Sequence, residues 1–405
     1  MLILKMVLRN VLRQKRRSFL TCLMMTGGFV ILSLSIGISD GSYSNIIELV
    51  TRNHTGHIQI HKRGYLDSPS LYNTLDSADG LDKKLESFPD VKAQALRLYF
   101  AVLAFAGKKT MGVRITGIEP DREEQTTRLE VKITKGEYIS TSPAKDVIVS
   151  DALAKALDID VGDDIILIGQ GADGSIANDL FYVRGIVDVG EIKYGDMKCY
   201  MHIKTAQDFL CLYDRFHEIA IILDDQAGSQ RIAHKIEHEI DDSTLDVKPW
   251  QAVESEFYQA METDVKAMNF GFIILMVVVG TGIMGTVLMT ILERTPEFGL
   301  MRAMGTRPVD VFKLIVYETS CLSVAGIVLG GIIAFICNYI IMRHGISLPD
   351  PIHFGGLYLD RIIGKVSVGV FLRPTMITFI TAILVSLYPA YRAASVPPIY
   401  AIQSN

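Results

Sequence analysis

Three clusters in this chain have residue types and spacings that chemistry could use. His234-Lys-Ile-Glu237-His238 fits H-x-x-E-H, an inverted zinc-protease pattern in which two histidines on a helix hold a metal beside a carboxylate base. Ile232, Ile236 and Ile240 set the buried stripe of that helix, so both histidines should face solvent, and no third ligand is evident. His54, His57 and His61 could also ligate a metal, but His57, Gln59 and His61 read as the wet face of a period-two strand. Cys199 and Cys211 are the only cysteines outside the long apolar runs; they could pair in an oxidising exterior or pack as thiols. No G-x-x-x-x-G-K-[ST] phosphate loop occurs, and Gly171-Ala-Asp-Gly174 reads as a plain loop, so the chain should not hydrolyse ATP itself. The expectation is therefore no catalytic residue, no metal and no cofactor on this chain.

The elements that would carry these residues divide sharply. Of 405 residues, 49% are hydrophobic and 21% charged. Residues 41–266 carry a net −13 and the rest of the chain +8. One acidic, solvated block thus sits inside a basic, apolar remainder, which excludes a disordered chain, a collagen and a small disulfide scaffold. The only basic cluster adjoins an apolar run, so a membrane explains it better than a nucleic acid.

Four runs lack formal charge: 22 residues between Arg17 and Asp40, 26 between Lys266 and Glu293, 24 from Thr319 to Met342 and 18 from Pro374 to Tyr391. About 20 helical residues cover the roughly 30 Å hydrocarbon core, so each can span a bilayer. The first run is too long for a signal peptide and lacks an A-x-A site, so a retained anchor is expected. Six basic residues and no acid precede Ser18, which places the N-terminus in the cytoplasm. The layout that follows is a cytoplasmic elbow (1–17), span one (18–40), an external domain (41–266), span two (267–292), a cytoplasmic loop (293–313), span three (314–342), an external loop (343–373), span four (374–391) and a cytoplasmic tail (392–405). Gly326-x-x-x-Gly330 marks a helix-packing face, and Glu318, near the inner end of span three, should reach the headgroups.

The external block alternates strands and short helices. Gly56–His61 reads as a strand, 79–88 as a helix, and Val91–Phe105 with Thr110–Ile118 as a hairpin turning at Gly107-Lys108-Lys109. A second set contains Val147–Val149, a helix Asp151–Leu157, and strands 161–168, 181–189 and 198–203. A third contains His217–Leu223, a helix 227–240 and Leu245–Lys248. The expected class is an α-helical membrane protein with four transmembrane helices and a large α+β extracytoplasmic domain, a split α+β layer carrying an inserted β-rich lobe at about 130–205.

Glu293-Arg294-Thr-Pro-Glu297-Phe298-Gly299-Leu-Met301-Arg302-Ala-Met304-Gly305, continuing through Pro308 to Val311, resembles the E-R-x-x-E-x-G-x-x-R-A-x-G signature of the FtsX/MacB/Lol family of ABC-transporter permeases. Arg9-Asn10 with Arg16-Arg17-Ser18 resembles that family's elbow helix. Pro389-Ala-Tyr-Arg392-Ala-Ala394 with 397–402 resembles its tail, and 190–210 looks most like the lipoprotein-releasing Lol permeases. The resemblance implies that the short helix docks in a groove of a separate ATPase, two copies of which hold the ATP and Mg. It also implies a second permease copy or a sister chain, surrounding membrane lipid, and a lipoprotein or similar amphiphile taken from the outer leaflet of the inner membrane. Met24, Met25 and Phe29 are then candidate substrate contacts. Gly169, Gly171, Asp173, Gly174 and Asn178 stand where Lol permeases carry a protruding hook for a periplasmic chaperone. Two other functions fit the sequence: mechanotransmission to an efflux duct or cell-wall hydrolase, and a membrane sensor with a ligand-binding external domain.

Overall fold

A computed structural model describes residues 6, 7, 9, 10, 13, 15–76, 80–188, 197–354 and 357–395. The stretches 190–196 and 396–405, and Asp79, which carried parts of the sequence reading, lie outside the described residues, as does the His54 side chain. The chain forms two compact units, one holding the long helices and one holding residues 45–260 together with 348–360.

Each charge-free run lies within a helix longer than itself: Lys15–Val50, Ser255–Glu293, Pro308–His344 and Val368–Ala394. Such helices, 27 to 39 residues long, exceed the roughly 20 residues that a bilayer needs. The surplus carries the first helix well past Asp40 and starts the second well before Lys266. Glycine governs their packing, as the small-residue spacing predicts. A Cβ on Gly326 would lie 2.8 Å from Met25 Cβ, and one on Gly330 would lie 3.0 Å from Phe29 Cδ1. The backbones of spans one and three therefore approach as only glycine permits, and Thr26 Oγ1 donates to the Gly326 carbonyl at 3.2 Å. Span three turns buried Thr319, Ser323, Gly326, Gly330, Ala334 and Asn338 inward, of which Gly326, Gly330 and Asn338 meet span one, and spans three and four also pack along each other. Between them the chain forms a two-stranded hairpin, Ile346–Phe354 with Leu357–Ile362, where the sequence reading had only an external loop.

Between residues 45 and 260 the described part of the external unit holds twelve strands. They are β1 (Ile58–Lys62), β2 (Leu75–Asp76), β3 (Val91–Ala106), β4 (Lys109–Ile118), β5 (Ile133–Gly136), β6 (Asp146–Ser150), β7 (Asp164–Gln170), β8 (Ile176–Val187), β9 (Lys198–His202), β10 (Arg215–Phe216), β11 (Glu218–Leu223) and β12 (Leu245–Pro249). The first layer runs β12-β1-β11-β3-β4, so the first and third sequence groups do share one sheet. The middle group is less separate than an inserted lobe suggests. β4 pairs β9, β9 pairs β6, β6 pairs β8, β8 pairs β7, and β7 returns to the far end of β3. Together with the β3–β4 hairpin these pairings close a ring of six strands, which leaves no free edge among them. Strand β3, at 16 residues, is long enough to serve both the layer and the ring. The hairpin turns in two residues, with Gly107 at φ +57°. Ser150 caps the helix Asp151–Leu157 by accepting from Leu153 N at 3.3 Å.

The strand expected to carry a wet face does not. β1 lies between β11 and β12, and His57, Gln59 and His61 are all buried. Tyr65 covers them from a following turn, its ring stacked 5.1 Å from His61 and 5.2 Å from His217. His217 Nδ1 accepts from Tyr99 N at 3.0 Å and its Nε2 faces the Leu71 carbonyl at 3.2 Å, an arrangement made for the neutral ring. Burial, aided by the nearby His61, pushes its pKa down to about 4. Beside it the fully buried Arg97 of β3 donates through Nε and Nη2 to both oxygens of Glu123, at 3.1 and 2.8 Å, and through Nη1 to Glu218 at 2.8 Å. Glu123 lies on a helix, Pro120–Thr127, that the sequence reading missed. Two carboxylates on one guanidinium stitch helix, β3 and β11 together.

Candidate functional site

The second membrane helix ends at Glu293 because Arg294 leaves helical geometry (φ −94°, ψ 8°), and Pro296 then opens a new helix, Thr295–Ala303. Proline costs nothing in a first turn, where its missing donor would have no helical partner. Glu297 stands in that first turn and Arg302 in the last, each favourable to the helix dipole. Gly305, at φ +96°, ends the helix; its N–H returns to the Arg302 carbonyl at 3.0 Å and Thr306 N to Met301 at 3.0 Å. Pro308 then opens the third membrane helix. The short helix predicted for this turn is present, framed by the proline and glycine that predicted it.

Its charges do something other than expected. Arg17 of the first membrane helix donates to Glu293, and Arg13 lies 3.8 Å from Glu297. Arg294 donates from Nε to Glu297 at 3.1 Å and from Nη1 to both oxygens of Glu318 on the third membrane helix, at 3.1 and 3.3 Å; its plane rests 5.1 Å from the Phe298 ring. Arg302 Nη1 donates at 2.6 Å to the carbonyl of Ala394, the last residue of the fourth membrane helix. The motif charges thus clasp the short helix to spans three and four, while Arg17 ties span one to the end of span two. Phe298 and Gly299 are buried in the same cluster as Val311, Leu314 and Ile315 of span three, and Met301 packs against it. Glu318 is a clasp partner, not a residue reaching for headgroups.

Among the exposed residues of the turn, Glu293, Glu297, Leu300 and Met304 form a stripe, with Leu300 57% and Met304 71% exposed. Leu300 was missing from the sequence-based site, although its i, i+3, i+7 relation with Glu297 and Met304 is the signal that finds it. Met301 was expected beside Met304 and instead faces inward. Beyond the stripe a groove of about 440 Å³ opens between Pro308, Val309, Phe312, Tyr391 and Arg302. Val309 and Tyr391 are exposed at its rim. The turn presents apolar contacts edged by acid, and keeps its arginines for its own spans.

The other predicted sites fare differently. Of the three proposed substrate contacts, Met25 and Phe29 are buried against Gly326 and Gly330 and cannot meet a ligand. Met24 is partly exposed, beside Gly282. The hairpin at 169–179 does not protrude as a hook. Strand pairing continues to Gln170–Ile176, Gly169 and Asn178 lie within it, and only five residues form the turn. Asp173 accepts from the N–H and hydroxyl of Ser175, and Ala172 N donates to the Leu210 carbonyl at 2.8 Å, which ties the tip down. Gly171 is buried there, while Gly174 adopts φ +82° at the corner. His234 and His238 project into solvent as expected, with Ile232 and Ile236 buried. No cluster able to hold a metal occurs among the described residues. Cys199 and Cys211 are free thiols, and burial of Cys199 in the ring raises its pKa.

Comparison with known proteins decides the family. Residues 18–239 match the MacB-like periplasmic core domain, and residues 269–398 match the FtsX-like permease C-terminal family. The chain is an FtsX-like permease of the ABC-transporter class with a MacB-like periplasmic core. Over 97% of its length and 97% of the relative's, this permease is 23% identical to the lipoprotein-releasing system transmembrane protein LolC of Neisseria meningitidis. Against the macrolide export ATP-binding/permease protein MacB of Shewanella oneidensis it is 22% identical, over 98% of its own chain and 60% of the longer relative. The periplasmic region of MacB from Actinobacillus actinomycetemcomitans aligns with 50% of the chain and 92% of that structure, at 14% identity and a TM-score of 0.36. The permease is therefore a membrane protein whose α+β domain lies outside.

Proposed function

We propose that this permease is the transmembrane subunit of a transporter whose ATPase is a separate chain in the cytoplasm, and that it extracts lipoproteins or similar amphiphiles from the outer leaflet of a bacterial inner membrane. The observation that carries the first half is the turn at 295–303. A partner can touch Leu300, Met304 and the groove beside Val309 and Tyr391, while Arg294 and Arg302 fasten the same helix to the third and fourth spans and Arg17 ties the first span to the end of the second. A body that presses on the apolar stripe moves the spans with it. The second half rests on relatives named for lipoprotein release that match along the whole chain. Two ATPase copies and a second permease copy or sister chain complete the assembly in this reading, with ATP and Mg on the ATPase. A periplasmic chaperone has no hook to engage at 169–179, because that hairpin is short and tied to Leu210.

Leu300→Glu with Met304→Glu places two charges where desolvated contacts form, a change expected to cost several kcal/mol of binding, or about a hundredfold or more. The full chain carrying both should lose its co-purifying ATPase and still insert in the membrane; undiminished ATPase would sink the docking surface. Photocrosslinking from position 24 in inner-membrane vesicles tests the cargo. An acylated protein supports extraction, whereas a crosslinked exit duct or hydrolase supports transmission without extraction.

A further inference from the structure

We propose that Glu318, which lies outside the signature, is the positioning residue through which movement of the short cytoplasmic helix reaches the third span, with Arg294 as the link; this rests on the permease reading above. Arg294 occupies the break between two helices, so its backbone belongs to neither. Its guanidinium is shared between carboxylates on different elements: Glu297 on the short helix and Glu318 on the third membrane helix. The sharing is asymmetric. The side chains of Arg294 and Glu318 are 8% and 12% exposed, against 50% for Glu297.

The position of Glu318 gives the pair its leverage. It stands ten residues beyond Pro308, where the third helix begins, or about 15 Å along the axis. The covalent route between the two helices passes Gly305, a positive-φ hinge that absorbs displacement. The Arg294–Glu318 pair bypasses that hinge and grips the body of the helix. Apolar neighbours Phe298, Val311 and Ile315 also join the two elements, but such contacts are non-directional and permit sliding. The Arg294–Glu318 contact is instead charge-assisted, with one nitrogen 3.1 and 3.3 Å from the oxygens of a largely buried carboxylate, and a charge-assisted hydrogen bond is directional where apolar contact is not.

The test uses the full-length chain in lipid nanodiscs with the ATPase that co-purifies with it from its native membrane. Its readouts are bound ATPase, ATP turnover, and the ATP-dependent change in hydrogen exchange across residues 308–344. Glu318→Gln keeps the shape, removes the charge and leaves the docking stripe untouched. The expected result is that ATPase stays bound while the ATP-dependent change in 308–344 is lost. The exchanged pair Arg294→Glu/Glu318→Arg should recover at least part of it. Retention of the full ATP-dependent change in Glu318→Gln overturns the proposal. So does equal loss of protection with and without ATP that the exchanged pair fails to repair, since that is the mark of a merely structural residue. A wild-type chain that binds no ATPase overturns the permease reading and this one with it.

Discussion

Two buried arginines, each shared between two carboxylates, hold the two units of this permease, one in each. Arg97 in the external domain is 2% exposed, and its partners Glu123 and Glu218 are each 4% exposed. Arg294, in the turn between the second and third spans, is nearly as buried, but one partner, Glu297, is half open to water. An enclosed cluster has lost its hydration on every member and holds only while complete; an open one can exchange a partner for water at little cost. The external cluster is thus suited to fixing a fold and the cytoplasmic one to holding a position that changes.

The sharpest way to break this contrast is to remove Arg97. Arg97→Ala leaves Glu123 and Glu218 buried without their shared cation, and breaking such a pair costs about 3–5 kcal/mol. Thermal unfolding of the full chain, followed by hydrogen exchange in β3 and β11, should show the external domain opening at markedly lower temperature. An unchanged midpoint would mean that the two carboxylates protonate or reach water easily, and the distinction drawn above would fail.

Acid probes the same enclosed region more gently. His217 titrates near 4 in the folded chain against 6.5 in an open one, so the folded state binds fewer protons between those values. Its contribution is complete above pH 6.5 and declines as pH falls through the window toward 4. Between pH 7 and 5 the loss is roughly 2 kcal/mol. The physical reason is visible: a second ring proton would point at the Tyr99 N–H that Nδ1 now accepts. The protection of β11 amides, measured relative to their intrinsic exchange rate at each pH, should fall on acidification, while the short helix, which holds no histidine, should show no matching transition. Parallel acid sensitivity in both regions would erase the contrast.

These two clusters also mark where the sequence could and could not be read. The spans were legible because a bilayer demands long charge-free runs, and Gly326 and Gly330 were legible because small residues four apart share a helix face. The motif helix announced itself through Pro296 and Gly305. Its function did not, because whether an arginine faces a partner or its own spans depends on Glu318 and Ala394, which are 24 and 92 residues away or more in the chain. The same limit misled β1. His57, Gln59 and His61 alternate with isoleucines as a wet face would, yet their burial comes from Tyr65, His217 and Glu218, which local periodicity does not see. Met25 and Phe29 failed as ligand contacts for the complementary reason: the glycines predicted to attract a helix attracted the one that carries them.

The smallest expected effect lies at the rim of the open cluster. Arg13 stands 3.8 Å from Glu297 with 75% and 50% of the two side chains exposed. Exposed pairs contribute about 0–1 kcal/mol and are screened by salt. Arg13→Ala should therefore leave the unfolding midpoint and ATPase co-purification unchanged at physiological ionic strength. A modest loss, if any appears, should vanish as salt is raised, because the Debye length falls to about 3 Å at 1 M. A large salt-resistant loss would place Arg13 among the enclosed charges. The cytoplasmic turn would then be held as rigidly as the external domain, leaving no part of its clasp free to yield when a motor pushes.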